Sequence, residues 1–375
     1  MANLSPTDAA NAAVLVYKSK SDPKKIARFA EAIPGLNDNF DFENLSNFKS
    51  KSGAFFKVKS GYGFIAQGKG QKFGNDTLVA IRGTASLADA LTDLNTGIQV
   101  TSTGKIVHAG FNRTFKDIEA HLSNHLRPGG TVHFCGHSLG GALATLGADW
   151  VSQKKSADAK LYTFGSPRVG FKPFSDRLTT GIGAENIFRV HRSTDVVPMV
   201  PIWPFVHVPQ PGVSYRLPSQ GRYSPGAAHS SDNYLKSMSE YRSWNDLITP
   251  DEISSLGDQA VDWLSLDGVK VLGSSTLNLL GRAIGYILKA AGVVIQVGAI
   301  AACSVLDMLS LALEKAARVS VELGGLVTRL LKKILSLTGF VVGKTIDLTR
   351  AFIRWAFQLL SSAIGRMVNL ALMTG

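Results

Sequence analysis

Cysteine is nearly absent from this chain of 375 residues, which contains only Cys135 and Cys303. Two cysteines do not make a disulfide framework. Because one lies in a strand-like run and the other in an apolar helix-like run, we expect two buried thiols. The chain also begins without a basic segment or a continuous apolar run, so a cleavable secretory signal is not expected. The cytosol and export by a signal-independent secretion system both remain open.

Charged residues are scarce as well, at 18% of the chain against 45% hydrophobic residues. This composition excludes a disordered chain and allows a sizeable core. The net charge is +12, and residues 266–375 hold 12 Lys/Arg and 5 Asp/Glu, a net +7. No nucleic-acid-binding motif accompanies these charges, so nucleic acid is not an expected partner. A basic and apolar segment instead favours an anionic membrane surface.

Proline is missing from residues 277–372, which are rich in Leu, Val, Ile, Ala and Gly. This composition predicts several helices. Thr249-Pro250-Asp251-Glu252 is typical of a helix start, and we place a domain boundary there, between residues 1–248 and a basic, apolar helical region over 249–375. The uncharged run 290–306 is only 17 residues long, at the lower limit for a membrane span. We expect these helices to lie on or insert into a membrane; a soluble bundle packed on the first domain is the alternative.

Short β-branched or aromatic runs alternate with helix-like stretches in the first 245 residues. The predicted strands are residues 77–82, 131–135, 160–164 and 187–191, and the clearest helices are 115–125 and 139–153. This alternation predicts an α/β fold with a mostly parallel sheet covered on both faces. Residues 54–67 predict an antiparallel hairpin at the sheet edge, with its turn near Gly61-Tyr62-Gly63.

Residues 136–140 read Gly136-His137-Ser138-Leu139-Gly140, the pattern of a nucleophile elbow. A strand-like run precedes it and a run of small apolar residues follows it. Ser138 is therefore predicted at a strained strand-to-helix turn, with the flanking glycines allowing strand and helix to pass closely. The helix N-terminus would favour negative charge developing at this serine.

A serine hydroxyl needs a base to take its proton, and in this fold an acid and then a histidine follow the serine. Asp195 is the best acid, because it follows a predicted strand at the carboxyl end of the sheet. Asp149 lies too far along the helix after Ser138, and Asp176 lies in a polar run. His229, in a loop before a helix, is preferred as the base over His207, for which we expect a structural role.

The oxyanion hole needs two donors. The backbone N–H of Leu139 is the first, and Thr84, after an earlier strand, is the second. Residues 87–94 form either a lid or an ordinary surface helix. His121 and His125 stand one helical turn apart, but no third ligand is evident, so neither a metal site nor a cofactor is predicted.

The chain resembles the class 3 (fungal-type) lipases of the α/β-hydrolase superfamily over about residues 8–240. The matching segments are residues 79–84, 93–95, 107–111, 136–141, 164–170 and 195–198, with the late His229. The resemblance implies hydrolysis of acylglycerols or phospholipids, and it supports Ser138, Asp195 and His229 as the triad and Thr84 and Leu139 as the oxyanion hole.

The chain departs from secreted fungal members of this family in its missing signal peptide and disulfides and in its basic C-terminal region. Its layout is more similar to bacterial lipase effectors, for which an inhibitory partner protein is one expected partner. We therefore expect a lipase or phospholipase A acting at a membrane. The alternatives are a membrane-disrupting or anchoring protein that acts through its C-terminal helices, and a soluble esterase for small esters.

Overall fold

The computed structural model describes residues 2–52, 58–83, 97–154, 157–218, 224–247, 256–266, 271–293, 304–340 and 346–374. The strands are β1 (Phe40–Ser52), β2 (Val58–Gly68), β3 (Thr77–Ile81), β4 (Ile98–Val100), β5 (Ile106–His108), β6 (Thr131–His137), β7 (Asp158–Phe164), β8 (Gly170–Phe171), β9 (Ile187–Arg192), β10 (Phe205–Val206) and β11 (Tyr215–Leu217). The helices as far as residue 247 are α1 (Pro6–Lys18), α2 (Pro23–Ala30), α3 (Pro34–Asn37), α4 (Gly70–Phe73), α5 (Ala109–His125), α6 (Leu139–Lys154), α7 (Lys172–Ile182), α8 (Pro225–His229) and α9 (Ser231–Met238). The later helices are α10 (Leu256–Ser265), α11 (Ser274–Ala290), α12 (Val305–Ala317), α13 (Val321–Leu337) and α14 (Arg350–Thr374).

Seven strands form the central sheet, in the order β1-β2-β3-β6-β7-β9-β11. The strands from β3 to β11 pair in parallel, whereas β1 and β2 add an antiparallel edge. A smaller antiparallel sheet has the order β10-β8-β5-β4. The predicted α/β fold, with a mostly parallel sheet followed by a helical C-terminal region, is confirmed.

The edge hairpin differs from its prediction in register. Strand β1 already begins at Phe40, and Gly61 and Gly63 lie inside β2, opposite Lys49 and Phe48, so the turn predicted at Gly61-Tyr62-Gly63 is wrong. A side chain at Gly63 would lie 2.2 Å from the carbonyl oxygen of Ala80 on the neighbouring strand. The glycine therefore allows a close approach between strands rather than a turn.

Alternate residues of the central strands enter two separate hydrophobic cores. In β3, Leu78 and Ala80 pack into the core beneath α1, whereas Val79 and Ile81 pack into the core beneath α5 and α6. Successive strand residues point to opposite faces, so an almost continuous apolar run marks a strand that is buried on both sides. Cys135 is buried as predicted, and Cys303 lies outside the described residues.

The C-terminal helices bury one face each against the rest of the protein. In α14 the buried side chains recur every three or four residues, at Ile353, Ala356, Phe357, Leu360, Ala363, Ile364, Val368 and Ala371. All of them except Ala363 belong to the same core as α6. Helix α14 packs against α8, and α11 contacts the turn Val197–Met199. These contacts connect the helical region with the elements of the first domain.

Among the described residues, one helix, Arg350–Met373, is long and apolar enough to cross a membrane, and 39% of its most apolar window is buried in the protein. Core helices of soluble proteins share this length and composition. Two basic residues of this helix, Arg350 and Arg354, both pair with Asp307 of α12. The predicted helix start at Thr249-Pro250 and the domain boundary lie outside the described residues.

Candidate active site

Ser138 stands at the turn between β6 and α6, with a φ of 56°. This left-handed conformation is costly for a residue with a Cβ atom, and the packing around it explains how it is held. A Cβ at Gly136 would lie 2.3 Å from the carbonyl oxygen of Gly140, and one at Gly140 would lie 2.1 Å from that of Ile81. Only glycine fits at both positions, so the close packing of strand, turn and helix holds Ser138 in this conformation.

His229 ends the short helix α8, which Ser224 caps by accepting a hydrogen bond from the backbone N–H of Ala227. Its Nδ1 donates to Oδ2 of Asp195 at 2.8 Å, which leaves Nε2 to accept the hydroxyl proton of Ser138 at 2.7 Å. All three side chains are buried, with Ser138 only 5% exposed. The structure thus brings the predicted serine, histidine and aspartate into one hydrogen-bonded chain.

Asp195 is held by two further donors. The phenol of Tyr234 donates to Oδ2 at 2.8 Å, and the backbone N–H of Val197 donates to Oδ1 at 3.0 Å. Burial, and then the negative charge of Asp195, raise the pKa of Tyr234 well above its ordinary value, so the phenol stays a donor. Three hydrogen bonds offset the cost of burying this carboxylate.

Tyr17 of α1 connects the elbow with the end of β3. Its phenol donates to the carbonyl oxygen of His137 at 3.0 Å and accepts from the backbone N–H of Gly83 at 3.0 Å. Burial raises the pKa of Tyr17 to about 12. Tyr17 therefore fixes the distance between the nucleophile turn and the chain leading to Thr84.

His137 also supports the base. Burial, and then the proximity of His229, hold its pKa well below the ordinary value, so its ring is neutral. Its Nε2 donates to the carbonyl oxygen of His229 at 2.7 Å. His137 thus holds the backbone of His229 in place by a hydrogen bond, and it adds no positive charge beside the candidate base.

Of the two donors predicted for an oxyanion hole, only Leu139 lies among the described residues. Leu139 is the first residue of α6, so its backbone N–H has no acceptor within the helix and lies directly after Ser138. Thr84 and the predicted lid at residues 87–94 lie outside the described residues.

The residues that the sequence analysis rejected as members of the triad or as metal ligands make other contacts. His207 is half-buried and accepts hydrogen bonds from two arginines, which is the structural role expected of it. Asp149 pairs with Arg177, and Asp176 pairs with Lys172 at the surface. Nδ1 of His125 lies 2.9 Å from the carbonyl oxygen of His121, and no group of three potential metal ligands occurs in the part of the chain that the structure describes.

Sequence reasoning missed Tyr17 and Tyr234. Tyr17 is 120 residues from the carbonyl it contacts, so no local pattern marked it. Tyr234 follows His229 by five residues, within a segment that showed only the signals of a helix start. A tyrosine on the first helix after the histidine is the one local sign of this contact.

The C-terminal helices touch two of the segments that carry these side chains. At the start of α11, the hydroxyl of Ser274 donates to the carbonyl oxygen of Ser193, two residues before Asp195. Helix α14 packs on α8, which carries His229. The acid and the base are therefore both supported from the helical region.

Comparison with known proteins gives one family and several partial relatives. Residues 78–205 match the model of the family described as lipase (class 3). A secreted mono- and diacylglycerol lipase 1 of Fusarium solani is 32% identical over 158 residues, which cover 40% of this chain and 46% of that protein. A phospholipase A1-IIgamma of Arabidopsis thaliana is 37% identical over 81 residues, 19% of each chain. The chain thus spans less than half the length of these relatives.

Among solved structures, a lipase from Rhizopus microsporus var. chinensis has 26% sequence identity and a TM-score of 0.38, with coverage of 56% of this chain and 71% of that one. The family match contains the strand, the elbow and Asp195, and the sheet order described above is that of the α/β-hydrolase architecture. Residues 78–205, which include Ser138 and Asp195, therefore match the class 3 lipase family, and the sheet that contains them has the α/β-hydrolase fold.

Proposed function

We propose that this protein hydrolyses carboxylic esters of lipids, with Ser138 as the nucleophile, His229 as the base and Asp195 as the acid. The observation that carries the proposal is the 2.7 Å contact between Oγ of Ser138 and Nε2 of His229, made by a serine in the left-handed conformation. Relatives named as mono- and diacylglycerol lipase and as phospholipase A1 support a lipid ester as the substrate.

In the proposed reaction, Nε2 of His229 takes the hydroxyl proton while Oγ of Ser138 attacks the ester carbonyl carbon. The carbonyl oxygen becomes an oxyanion that accepts from the N–H of Leu139 and, we expect, from Thr84. When the intermediate collapses, the proton passes from His229 to the leaving alcohol, and the acyl group stays on Ser138. Water activated by His229 then releases the fatty acid and restores the serine. Asp195 holds the imidazole in the required tautomer throughout.

We further propose that the substrate lies in a membrane. An aromatic cluster of Phe340, Phe352 and Trp355 lies at the surface of the helical region, with ring centroids 5.5 Å apart for Phe340–Trp355 and 5.4 Å apart for Phe352–Trp355. Phe340 is 46% and Trp355 39% exposed. Exposed aromatic rings on a basic helical surface are typical of proteins that lie at the interface of a bilayer.

The catalytic test compares the wild-type, Ser138→Ala and Ser152→Ala proteins. Ser152 lies on the helix that follows the elbow, and its hydroxyl bonds locally to the carbonyl oxygen of Asp149 and to the side chain of Gln153. We expect fatty-acid release from phospholipid vesicles and acylglycerol emulsions by the wild-type and Ser152→Ala proteins, and none by Ser138→Ala. Normal cleavage by Ser138→Ala would overturn the mechanism. Release only from a soluble short-chain ester would contradict the lipid substrate.

The membrane test uses vesicle binding by the Ser138→Ala protein, in which the lipid stays intact. Adding Trp355→Ala should weaken binding, whereas Tyr286→Ala, which removes an aromatic ring of similar exposure (37%) from α11, should not. Equal binding by both double variants would contradict contact through the aromatic cluster. Vesicle leakage caused by Ser138→Ala alone would favour a membrane-disrupting protein instead.

A further inference from the structure

A cavity of about 500 Å³ lies between α11 and the edge of the lipase domain. Four cationic or titratable side chains line it from four separate segments: Arg168 from the loop after β7, Arg189 from β9, His207 after β10 and Arg282 from α11. Neither Ser138 nor any other member of the hydrogen-bonded chain lines this cavity. It is therefore a second, separate concave site.

The two buried arginines of the cavity, Arg168 and Arg189, both donate hydrogen bonds to the same histidine. Nε of Arg168 and Nη2 of Arg189 each donate to Nε2 of His207 at 3.2 Å. Arg168 also donates to the carbonyl oxygens of Met199 and Pro201. Arg168 is only 7% exposed, and none of its contacts within the described part of the chain is a carboxylate.

The charges around the cavity repel one another. Burial, and then the positive charges of Arg189 and Arg282, lower the pKa of Arg168 to about 9. Burial, followed by Arg189 and Arg168, lowers the pKa of His207 well below its ordinary value. Burying the cation of Arg168 beside other positive charges is costly, and a bound anion would offset that cost.

We propose that this cavity binds a phosphate group, carried either by a soluble phosphate or phosphomonoester or by the headgroup of an anionic lipid. Guanidinium groups present forked donors that match phosphate oxygens, and three of them suit a doubly charged group. The lining of Trp203, Gln210, Ser214 and Asn278 adds an indole ring and neutral polar groups beside the charges. The cavity is larger than a phosphate ion and leaves room for the organic part of such a ligand.

The site is shared between two parts of the protein. Arg168 and Arg189 belong to the lipase domain, whereas Arg282 comes from α11 of the helical region. Position 285 on α11 lies against the indole of Trp203, so the helix and the cavity wall are in contact. A phosphate held by all three arginines would join the helical region to the domain that carries Ser138.

The test measures thermal unfolding of the full-length protein in increasing inorganic phosphate, against sodium chloride of equal ionic strength. A ligand that binds only the folded state raises the melting temperature in proportion to the logarithm of its concentration. Arg282→Gln removes one cavity arginine from a half-buried helix position. Lys289→Gln is the matched control, because it removes one positive charge from an exposed position of the same helix. We expect Arg282→Gln to weaken phosphate binding about tenfold and Lys289→Gln to leave it unchanged.

The source of the phosphate is separated with vesicles and the Ser138→Ala protein. Tighter binding to phosphatidylcholine vesicles that contain phosphatidic acid, lost on adding Arg282→Gln and displaced by free phosphate, would identify a lipid headgroup. Phosphate binding without that vesicle preference would identify a soluble ligand. Stabilisation by phosphate no greater than by chloride, or equal losses in Arg282→Gln and Lys289→Gln, would overturn the proposal. None of these measurements requires ester cleavage, so the outcome is independent of the proposed catalysis.

Discussion

Tyr234 and His229 donate hydrogen bonds to the same oxygen of Asp195, each at 2.8 Å. The phenol also accepts from the backbone N–H of Arg192 at 3.1 Å, which ties it to the end of β9. Tyr234 therefore fixes the position of the carboxylate oxygen toward which the imidazole is oriented.

Replacing this phenol tests how strongly the carboxylate position matters. In Tyr234→Phe, Asp195 loses one of its three donors, and a hydrogen bond to a charged group contributes about 1.5–3 kcal/mol. We expect kcat for ester cleavage to fall by about tenfold, with KM nearly unchanged. Tyr215→Phe is the control, because Tyr215 packs against Phe188 and Trp244, away from Asp195. Equal activity in the two variants would contradict a positioning role for Tyr234.

Tyr17 offers a second test, on the oxyanion side. Tyr17→Phe removes the link between the carbonyl oxygen of His137 and the N–H of Gly83, so the segment leading to Thr84 loses one fixed point. We expect a fall in kcat of about tenfold, the size of one lost hydrogen bond, and weaker inhibition by phosphonate esters that mimic the tetrahedral intermediate. Tyr241→Phe is the matched control, because Tyr241 is a half-buried tyrosine that lies shortly after the end of α9. A change in KM alone would argue against this interpretation.

Stability is expected to fall in mild acid because three histidines are held neutral in the folded protein. Burial is the main cause that holds the pKa values of His137, His191 and His207 well below the ordinary value. In the unfolded chain each binds a proton below about pH 6.5. The unfolded state then holds more protons, so the free energy of unfolding decreases as the pH falls below about 6.5, by up to about 1.4 kcal/mol per pH unit for each histidine.

Urea unfolding at about pH 7.5 and about pH 5.5 measures this slope. His125→Gln, at an exposed position, should leave the pH dependence of the unfolding free energy unchanged. His191→Asn should reduce that dependence by the contribution of one of the three histidines. Equal stability at the two pH values would show that these rings already carry protons in the folded state.

The docking of α14 is tested by two substitutions on opposite faces of that helix. Phe357 is fully buried, whereas Leu370 is 50% exposed. We expect Phe357→Ala to lower the free energy of unfolding by about 3–5 kcal/mol and Leu370→Ala to lower it by less than about 1 kcal/mol. Similar small effects in both variants, measured by denaturant unfolding, would mean that α14 is not packed on the domain in solution.

Local patterns predicted the strands and the elbow, because these depend on residues next to one another. Chain order selected Asp195 and His229, which the structure joins to Ser138 by hydrogen bonds. The glycines around Ser138 are required by contacts within a few residues. The turn predicted at Gly61-Tyr62-Gly63 was wrong because glycine serves a close strand approach as well as a turn, and only the partner strand decides between them.

Contacts over long sequence distances were beyond such patterns. Nothing near Tyr17 indicates that its phenol meets His137, and nothing near Arg168 indicates that Arg189 and Arg282 share its cavity. The C-terminal helices show the same limit, since a helix with one apolar face suits a lipid surface and a protein core equally well. Which surface covers that face depends on the rest of the fold.

The packing of α14 on the helix that carries His229 also has a consequence for synthesis of the protein. A growing chain contains Ser138, Asp195 and His229 long before Arg350 has been added. The surface that packs on the helix of His229 is then still missing, since α14 contributes it and α14 lies more than 100 residues after His229 in the chain. The order of synthesis therefore adds the support of His229 only after Ser138, Asp195 and His229 have all been made, so a chain that stops before α14 would contain the three residues without that support.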